Sequence, residues 1–247
     1  MNTILKKKLK YSTNKFKINT DLETDLTILN KVFYPTHTSN LLINSCLKKI
    51  KKPSKILDIG CGSGIVGISL SNMGKTSAPV HFSDISKQAI KNVKINASKY
   101  NIDFIAKSGS LFDPWKDMKF DYIVNDVSGI SEEIAVKSKW YKGVSCKTGI
   151  SGTKLVNKII ARAKFYLNTH GALIIPIISL SNENNIKKNM KKYFSKINKI
   201  GSGDWPLPES MYAYEKILEK LRKKSFVNYK KKWGYIVCST SVYMLKN

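Results

Sequence analysis

Arginine is nearly missing from this chain. Of its 43 Lys and Arg residues only Arg162 and Arg222 are arginine, and with 17 acids the formal net charge is +26. So few guanidinium groups leave little capacity for the bidentate reading of base edges. The many ammonium groups still predict non-specific adhesion to polyanions through counterion release. The chain is also rich in Asn and Ile, a composition typical of A/T-biased coding. The lysine excess therefore has two readings, a nucleic-acid surface or composition drift on a solvated exterior. Cysteine and histidine are sparse as well. Cys46, Cys61, Cys146 and Cys238 contain no Cys-x-x-Cys spacing, and His37, His81 and His170 do not cluster with them, so neither a disulfide framework nor a zinc site is expected. Long apolar runs are missing too. The longest, Ala172 to Ile178, is interrupted by Pro176 and falls far short of the ~18 residues that suggest a membrane span. The lysine-rich start around Leu5 to Lys10 has no apolar core of a signal peptide. These absences predict a cytoplasmic chain with no membrane partner, either a monomer or a homodimer.

What is present begins with size. At 247 residues and 42% hydrophobic the chain can bury one substantial core. We read residues 1–32 as a basic N-terminal arm and 33–247 as a single α/β domain. The most informative stretch runs from Lys55 to Leu70, where an apolar strand enters a glycine turn that opens an apolar helix. Gly60, Gly62 and Gly64 permit positive backbone torsions and let a ligand approach the main chain. The helix from Ile65 offers free N–H groups over the turn. From Gly62 to Gly67 the spacing also fits Gly-x-Gly-x-x-Gly, a dinucleotide signal. Asp58 argues against a dinucleotide: a carboxylate at the mouth of the turn repels a pyrophosphate and suits a ligand bearing an ammonium and a sulfonium. A second strand, Val80 to Asp84, ends in another acid after room for one helix and a return strand. Asp84 is placed to accept both ribose hydroxyls, or to cap the helix that starts near Ser86.

The alternation continues down the chain, as a parallel sheet with crossover helices requires. Ile90, Val93, Ala97 and Tyr100 have helical spacing, and Ile102, Phe104 and Ala106 alternate as a strand. Tyr122 to Asn125 forms a fourth strand and delivers Asn125, Asp126, Val127 and Ser128 to its carboxyl end. Residues 130–152 read as a long loop in which Lys137, Lys139, Lys142 and Lys147 interleave with Trp140 and Tyr141. That mixture fits a substrate lid, a polyanion contact or a solvated loop. Beyond it come an amphipathic helix from Leu155 to Leu167, a strand from Ala172 to Ile178 and a helix through Ile186, Met190 and Tyr193. A strand from Lys196 to Ile200, a stiff turn at Trp205 to Pro208, a helix from Met211 to Leu221 and a closing strand from Gly234 to Leu245 complete the chain.

With Ile56 to Gly64, Asp84 and Phe120 to Asn125 in view, the sequence resembles the class I S-adenosylmethionine-dependent methyltransferases. The Asn125 position is similar to the Asn-Pro-Pro-Tyr motif of the branch that includes release-factor glutamine and ribosomal guanine methyltransferases, with only the asparagine kept. The resemblance implies a Rossmann-like, doubly wound, mostly parallel seven-stranded sheet with a final antiparallel strand. It also implies S-adenosylmethionine as cofactor, with Asp58, Gly60, Gly62 and Gly64 at the methionine end and Asp84 at the ribose. Ile85, Ser110 and Leu111 join the expected cofactor set; Ser110 stands where family members usually carry an acid facing the adenine amino group. Phe33, Thr36 and Thr38 match the segment that covers the methionine end, although either threonine also suits a helix cap. Asn125 is expected to contribute to cofactor binding and, with Asp126, to catalysis.

The activity implied is methylation of an amide or amine nitrogen on a macromolecule, protein or RNA. One alternative is O- or N-methylation of a small molecule, with Asp126 as the base. Another is a cofactor-binding module that binds nucleic acid without catalysis.

Overall fold

The computed structural model describes residues 11–77, 79–127, 129–141 and 143–247. Leu5 to Lys10 of the expected arm, together with Ser128 and Lys142, lie outside the described residues.

Strands β1 (Tyr11–Lys17) and β2 (Glu23–Leu29) pair antiparallel as a hairpin. After them come helix α1 (His37–Lys49), strand β3 (Ile56–Ile59), α2 (Ile65–Asn72), β4 (Val80–Asp84), α3 (Lys87–Lys99), β5 (Phe104–Ser108) and β6 (Phe120–Asn125). The second half contains α4 (Glu132–Lys137), α5 (Lys154–Ala163), β7 (Leu167–Ile178), α6 (Glu183–Tyr193), β8 (Lys196–Pro206), α7 (Glu215–Lys223), β9 (Lys230–Lys232) and β10 (Tyr235–Lys246). Seven strands form one path in the order β5-β4-β3-β6-β7-β10-β8, and the short β9 pairs with β10. The five strands from β5 to β7 are mutually parallel, and β10 runs antiparallel to both neighbours. This is the doubly wound α/β sheet expected, with the closing strand reversed.

The central strands are apolar on both faces because both faces are covered. All of Ile56–Ile59 is buried. On one face Ile56, Phe82, Val124 and Ile174 pack with α1, α2 and α3 through residues such as Leu42, Ile68 and Val93. On the other, Leu57, Ile59, Ile123, Leu173 and Ile175 pack with α5 and α6 through Val156, Ile159, Ile160, Ile186 and Met190. His81 is buried against Trp115 and Phe120. Desolvation, aided by the Lys55 charge, lowers its pKa to about 4, so it is a neutral core group at physiological pH.

A third, smaller cluster joins Ile130, Ile134 and Leu180 to Leu218, Leu221, Tyr229 and Ile236, with Trp140 and Tyr141 packed at its edge. Here the structure departs from the sequence pattern. Residues 130–152 are not one long loop: α4 and a 3-10 turn at Lys139–Tyr141 occupy part of the segment. Two turns of helix are too short to establish a readable period. Trp205 and Pro206 do not form a stiff turn but end β8, opposite Cys238 and Val237. A proline is tolerated there because β8 is an edge strand. Leu167 does not close the amphipathic helix. It opens β7 after a 3-10 turn at Lys164–Tyr166.

From Tyr11 onward the segment expected to be an arm is a hairpin packed on the first core face. Leu26 and Leu29 are buried, while Asn92 and Asn96 on α3 bond the backbone of Thr27 and Leu29. Leu26→Ala should therefore cost about 2–5 kcal/mol, as for other fully buried leucines. Urea unfolding measures it, and a loss under ~0.5 kcal/mol would mean the hairpin is not part of the cooperative core.

Candidate functional site

The chain leaves β3 toward β4 and β5 on one side, then crosses back to β6 on the other. That places the topological switch between β3 and β6, the position where open α/β sheets bind ligands beyond their carboxyl ends. Four strand ends converge there: Asp58 and Ile59 from β3, Asp84 from β4, the turn after β5 and Asn125 with Asp126 after β6. A cavity of about 580 Å³ opens over them, a suitable volume for a small-molecule ligand.

The glycine turn forms its floor. Gly60, Gly62 and Gly64 have φ of 68°, 53° and 86°, conformations that a side chain strains. A Cβ on Gly60 would lie 2.2 Å from Val127 Cγ1, whereas one on Gly62 would meet nothing within 4 Å. Gly62 therefore faces open space over the turn, and Gly60 allows the β6 loop to close onto it. Backbone bonds tie the turn to β4: the Gly60 and Cys61 N–H groups donate to Ser83 O, and the Gly62 N–H donates to Asp84 Oδ2 at 3.1 Å. Gly67 has a packing role. A Cβ there would come within 2.4 Å of the Phe82 ring and 3.2 Å of Asp58 Oδ2.

Three carboxylates face this space. Asp58 is buried; its Oδ2 accepts the Gly67 N–H at 2.9 Å, but its Oδ1 is buried without a hydrogen-bond partner. Desolvation raises its pKa to about 7, opposed by the Gly67 bond and reinforced by the charges of Asp126 and Asp84. Asp126 accepts the Ser39 hydroxyl at 2.6 Å. Burial raises its pKa to about 6, with the Ser39 bond pulling the other way. Asp84 Oδ1 accepts the Ser86 N–H at 2.8 Å. Desolvation also raises its pKa, opposed by backbone N–H groups of Ser86, Gly62 and Ile85. An acidic, partly desolvated cavity with an orphaned carboxylate oxygen is built for a cation. The residues present thus fit a cofactor carrying an ammonium and a sulfonium.

The expected site residues divide clearly. Phe33, Thr36, Thr38, Asp58, Gly60, Gly62, Asp84, Ile85, Ser110, Leu111 and Asp126 all line the cavity. Gly64 does not: it is the N-cap of α2 and faces Val93 and Ile68. Asn125 is buried behind the wall, and its Oδ1 accepts the Val127 N–H at 2.9 Å. Thr36 also caps α1 in a reciprocal capping box with Ser39. Exposed Ile85 and partly buried Leu111 flank the far end; Leu111 has a strained φ of 49°. Ser39 escaped the sequence reading. Its only signal was its place three residues after Thr36, which reads as capping, and no local pattern links it to Asp126. Tyr141 meets Phe33 with ring centroids 5.0 Å apart, so the 3-10 turn and the entry loop close one side of the cavity together.

The methyltransferase small domain family matches residues 35–126, the span that carries the glycine turn and all three carboxylates. Over that span the chain is similar to the methyltransferase small domain. It is 26% identical over 161 residues to a release factor glutamine methyltransferase of Geobacter sulfurreducens, covering 62% of this chain and 55% of that protein. It is 32% identical over 158 residues to the corresponding protein of Fusobacterium nucleatum, covering 59% and 44%. The chain thus spans about half the length of these curated relatives. In fold it resembles the T. thermophilus 16S rRNA N2 methyltransferase solved with AdoMet and guanosine, at TM-score 0.59 and 13% identity, covering 96% of this chain and 51% of that one. Among the described residues no helix is long and apolar enough to cross a membrane.

The raised carboxylates have a measurable consequence. Between the usual carboxylate range and about pH 6–7, folded ligand-free protein holds protons that the unfolded chain has released. The stability they contribute is fully present below the unfolded pKa and is lost as pH rises through the folded values. The melting temperature of ligand-free protein should carry this downward contribution as pH rises from 5 to 8, and Asp58→Asn should flatten the curve. An unchanged pH profile in that variant would refute the assignment of Asp58 as the raised group.

Proposed function

We propose that this chain is an S-adenosylmethionine-dependent methyltransferase acting on an amide or amine nitrogen of a macromolecule in the cytoplasm. The observation that carries the reading is the orphaned Asp58 Oδ1 in a cavity ringed by Asp84 and Asp126. When bound, the cofactor supplies a methyl group already activated on a sulfonium. Asp58 and the glycine turn hold its cationic amino-acid end, Asp84 its ribose, and Ile85, Ser110 and Leu111 its base. Phe33, Thr36 and Thr38 cover the methionine end, and Gly64 sets the start of α2 so that the turn keeps its shape. The relatives support a macromolecular acceptor, since their names specify a release-factor glutamine and ribosomal RNA.

Donor and acceptor must be aligned and water excluded, which is positioning work. Asn125 shapes the turn after β6 through its bond to Val127, replacing the stiffness that two prolines give in Asn-Pro-Pro-Tyr. That turn presents Asp126 to the cavity, with Ser39 fixing the rotamer. An amine or amide acceptor needs its N–H hydrogens received and its nitrogen aimed; Asp126 provides oxygen acceptors at that strand end, and Asn125 acts through the turn that presents them.

Calorimetry should detect S-adenosylmethionine and its demethylated product and give no binding of nicotinamide dinucleotides. Asp84→Ala should weaken cofactor binding by roughly 1–3 kcal/mol; unchanged affinity would reduce Asp84 to a capping residue. Because the cavity acids bind protons in the empty site, cofactor affinity should fall as pH drops below about 7, with proton release on binding.

Mass spectrometry of extracts incubated with isotope-labelled cofactor would identify the acceptor. On that acceptor Asn125→Ala should lower turnover by about 100-fold or more, equivalent to ~2.7 kcal/mol at the transition state. Asp126→Asn keeps an oxygen acceptor and should be mild. A severe Asp126→Asn defect, with rates falling at acidic pH as a carboxylate near pKa 6 protonates, would instead indicate a hydroxyl acceptor.

A further inference from the structure

The β9–β10 hairpin reads Lys230-Lys231-Lys232-Trp233-Gly234-Tyr235. Lys232 pairs with Tyr235, so the turn has only two central residues, Trp233 and Gly234, with φ of 50° and 78°. Such a turn favours Asn-Gly, and a bulky residue with positive φ is an outlier with an energetic cost. Trp233 adopts that conformation with 83% of its surface exposed, more than any other large hydrophobic residue among those described. No packing gain offsets the strain. Lys232 Nζ lies 4.1 Å from its ring centroid, and Tyr235 next to it is half exposed.

The surroundings are cationic. From Glu215 to Lys232 the chain carries eight Lys and Arg against two acids. Both acids, Glu215 and Glu219, pair with Lys231, whose strand position faces α7. Lys230 and Lys232 occupy the opposite face with Tyr235. The base of the hairpin is rigid: Tyr229 and Ile236 are buried in the third cluster, which also packs Trp140 and Tyr141. Because Tyr141 lines the cavity, one small core connects the tip to the cavity rim.

We infer that the Trp233 hairpin is a docking site for an unpaired segment of RNA. Trp233 and Tyr235 stack on exposed bases, and Lys230 and Lys232 contact the flanking phosphates. A tryptophan face can stack only on a base not already covered, and lysines supply the sequence-independent phosphate term. Unpaired loops and bulges with splayed bases are the usual targets of such recognition in RNA. A membrane anchor would need a larger apolar face, and this tip has no exposed aliphatic residue beside its two aromatics. Assigning the tip to the methyl acceptor rests on the methyltransferase reading. Its binding is measured without cofactor, so either idea can fail alone.

The test is fluorescence anisotropy of the full chain with short labelled unpaired RNA, the same sequence as duplex RNA and as single-stranded DNA, and vesicles containing phosphatidylserine. Unpaired RNA should bind most tightly. Trp233→Ala should weaken that binding about 10-fold or more, and Trp233→Phe should retain most of it. Trp233→Asn should lose binding while keeping or raising the melting temperature, because Asn suits the turn; this separates docking from folding. Reversing Lys230 and Lys232 to Glu should flatten the salt dependence. Wild-type affinity in Trp233→Ala, or an equal loss for duplex RNA, overturns the proposal. Tighter binding to DNA or vesicles, or self-association that depends on Trp233 in place of RNA binding, does so as well.

Discussion

A buried carboxylate with one unpartnered oxygen is the constraint around which the site is organised. Asp58 sits at the end of an inner strand, out of water, with Gly67 N–H satisfying only one side of it. Leaving such a group unpaired costs free energy, and the fold accepts that cost where the sheet reverses its winding. Gly67 must lack a side chain for α2 to approach Phe82 and Asp58 together. The turn glycines let the chain pass over this acid while leaving space above it. The two other carboxylates raise the electrostatic cost further. All three have raised pKa values, and a bound cation would relieve them.

The second half of the molecule serves the first by providing walls. β10 locks β7 and β8 together with long antiparallel ladders, and Trp205 Nε1 donates to Thr240, whose hydroxyl lies 3.4 Å from that of Thr38 on the cavity wall. The third cluster holds the 3-10 turn bearing Tyr141 against Phe33. It also forms the base of the Trp233 hairpin. One small core therefore supports both a cavity wall and an exposed basic tip. It is the part of the protein best placed to couple what binds outside to the geometry within.

Asp126 and Asn125 set this strand end apart from the motif it resembles. The motif this position resembles uses two prolines to fix its turn. Here a side-chain to backbone bond from Asn125 does that work, and the next residue becomes an acid held by Ser39. The acid adds negative charge to the cavity that it lines.

Local sequence carried a great deal of this. The strand–glycine turn–helix from Ile56, the acid ending β4 and the strand ending in Asn125 were legible because strand period, glycine torsions and strand-end acids are properties of consecutive residues. They determined the sheet class and most of the cavity wall. Contacts distant in sequence were not legible. Ser39 reaches Asp126, the β1–β2 hairpin buries Leu26 against α2 and α3, and Phe33 meets Tyr141 only because the sheet brings them together. Gly64 and Asn125 matched the motif, yet tertiary packing turned both away from the cavity. The all-lysine β9 has no apolar alternation to read and exists because β10 offers it a free edge. Which residues are chemically able to bind was written in the chain; which atoms face the ligand was decided by packing between segments far apart in it.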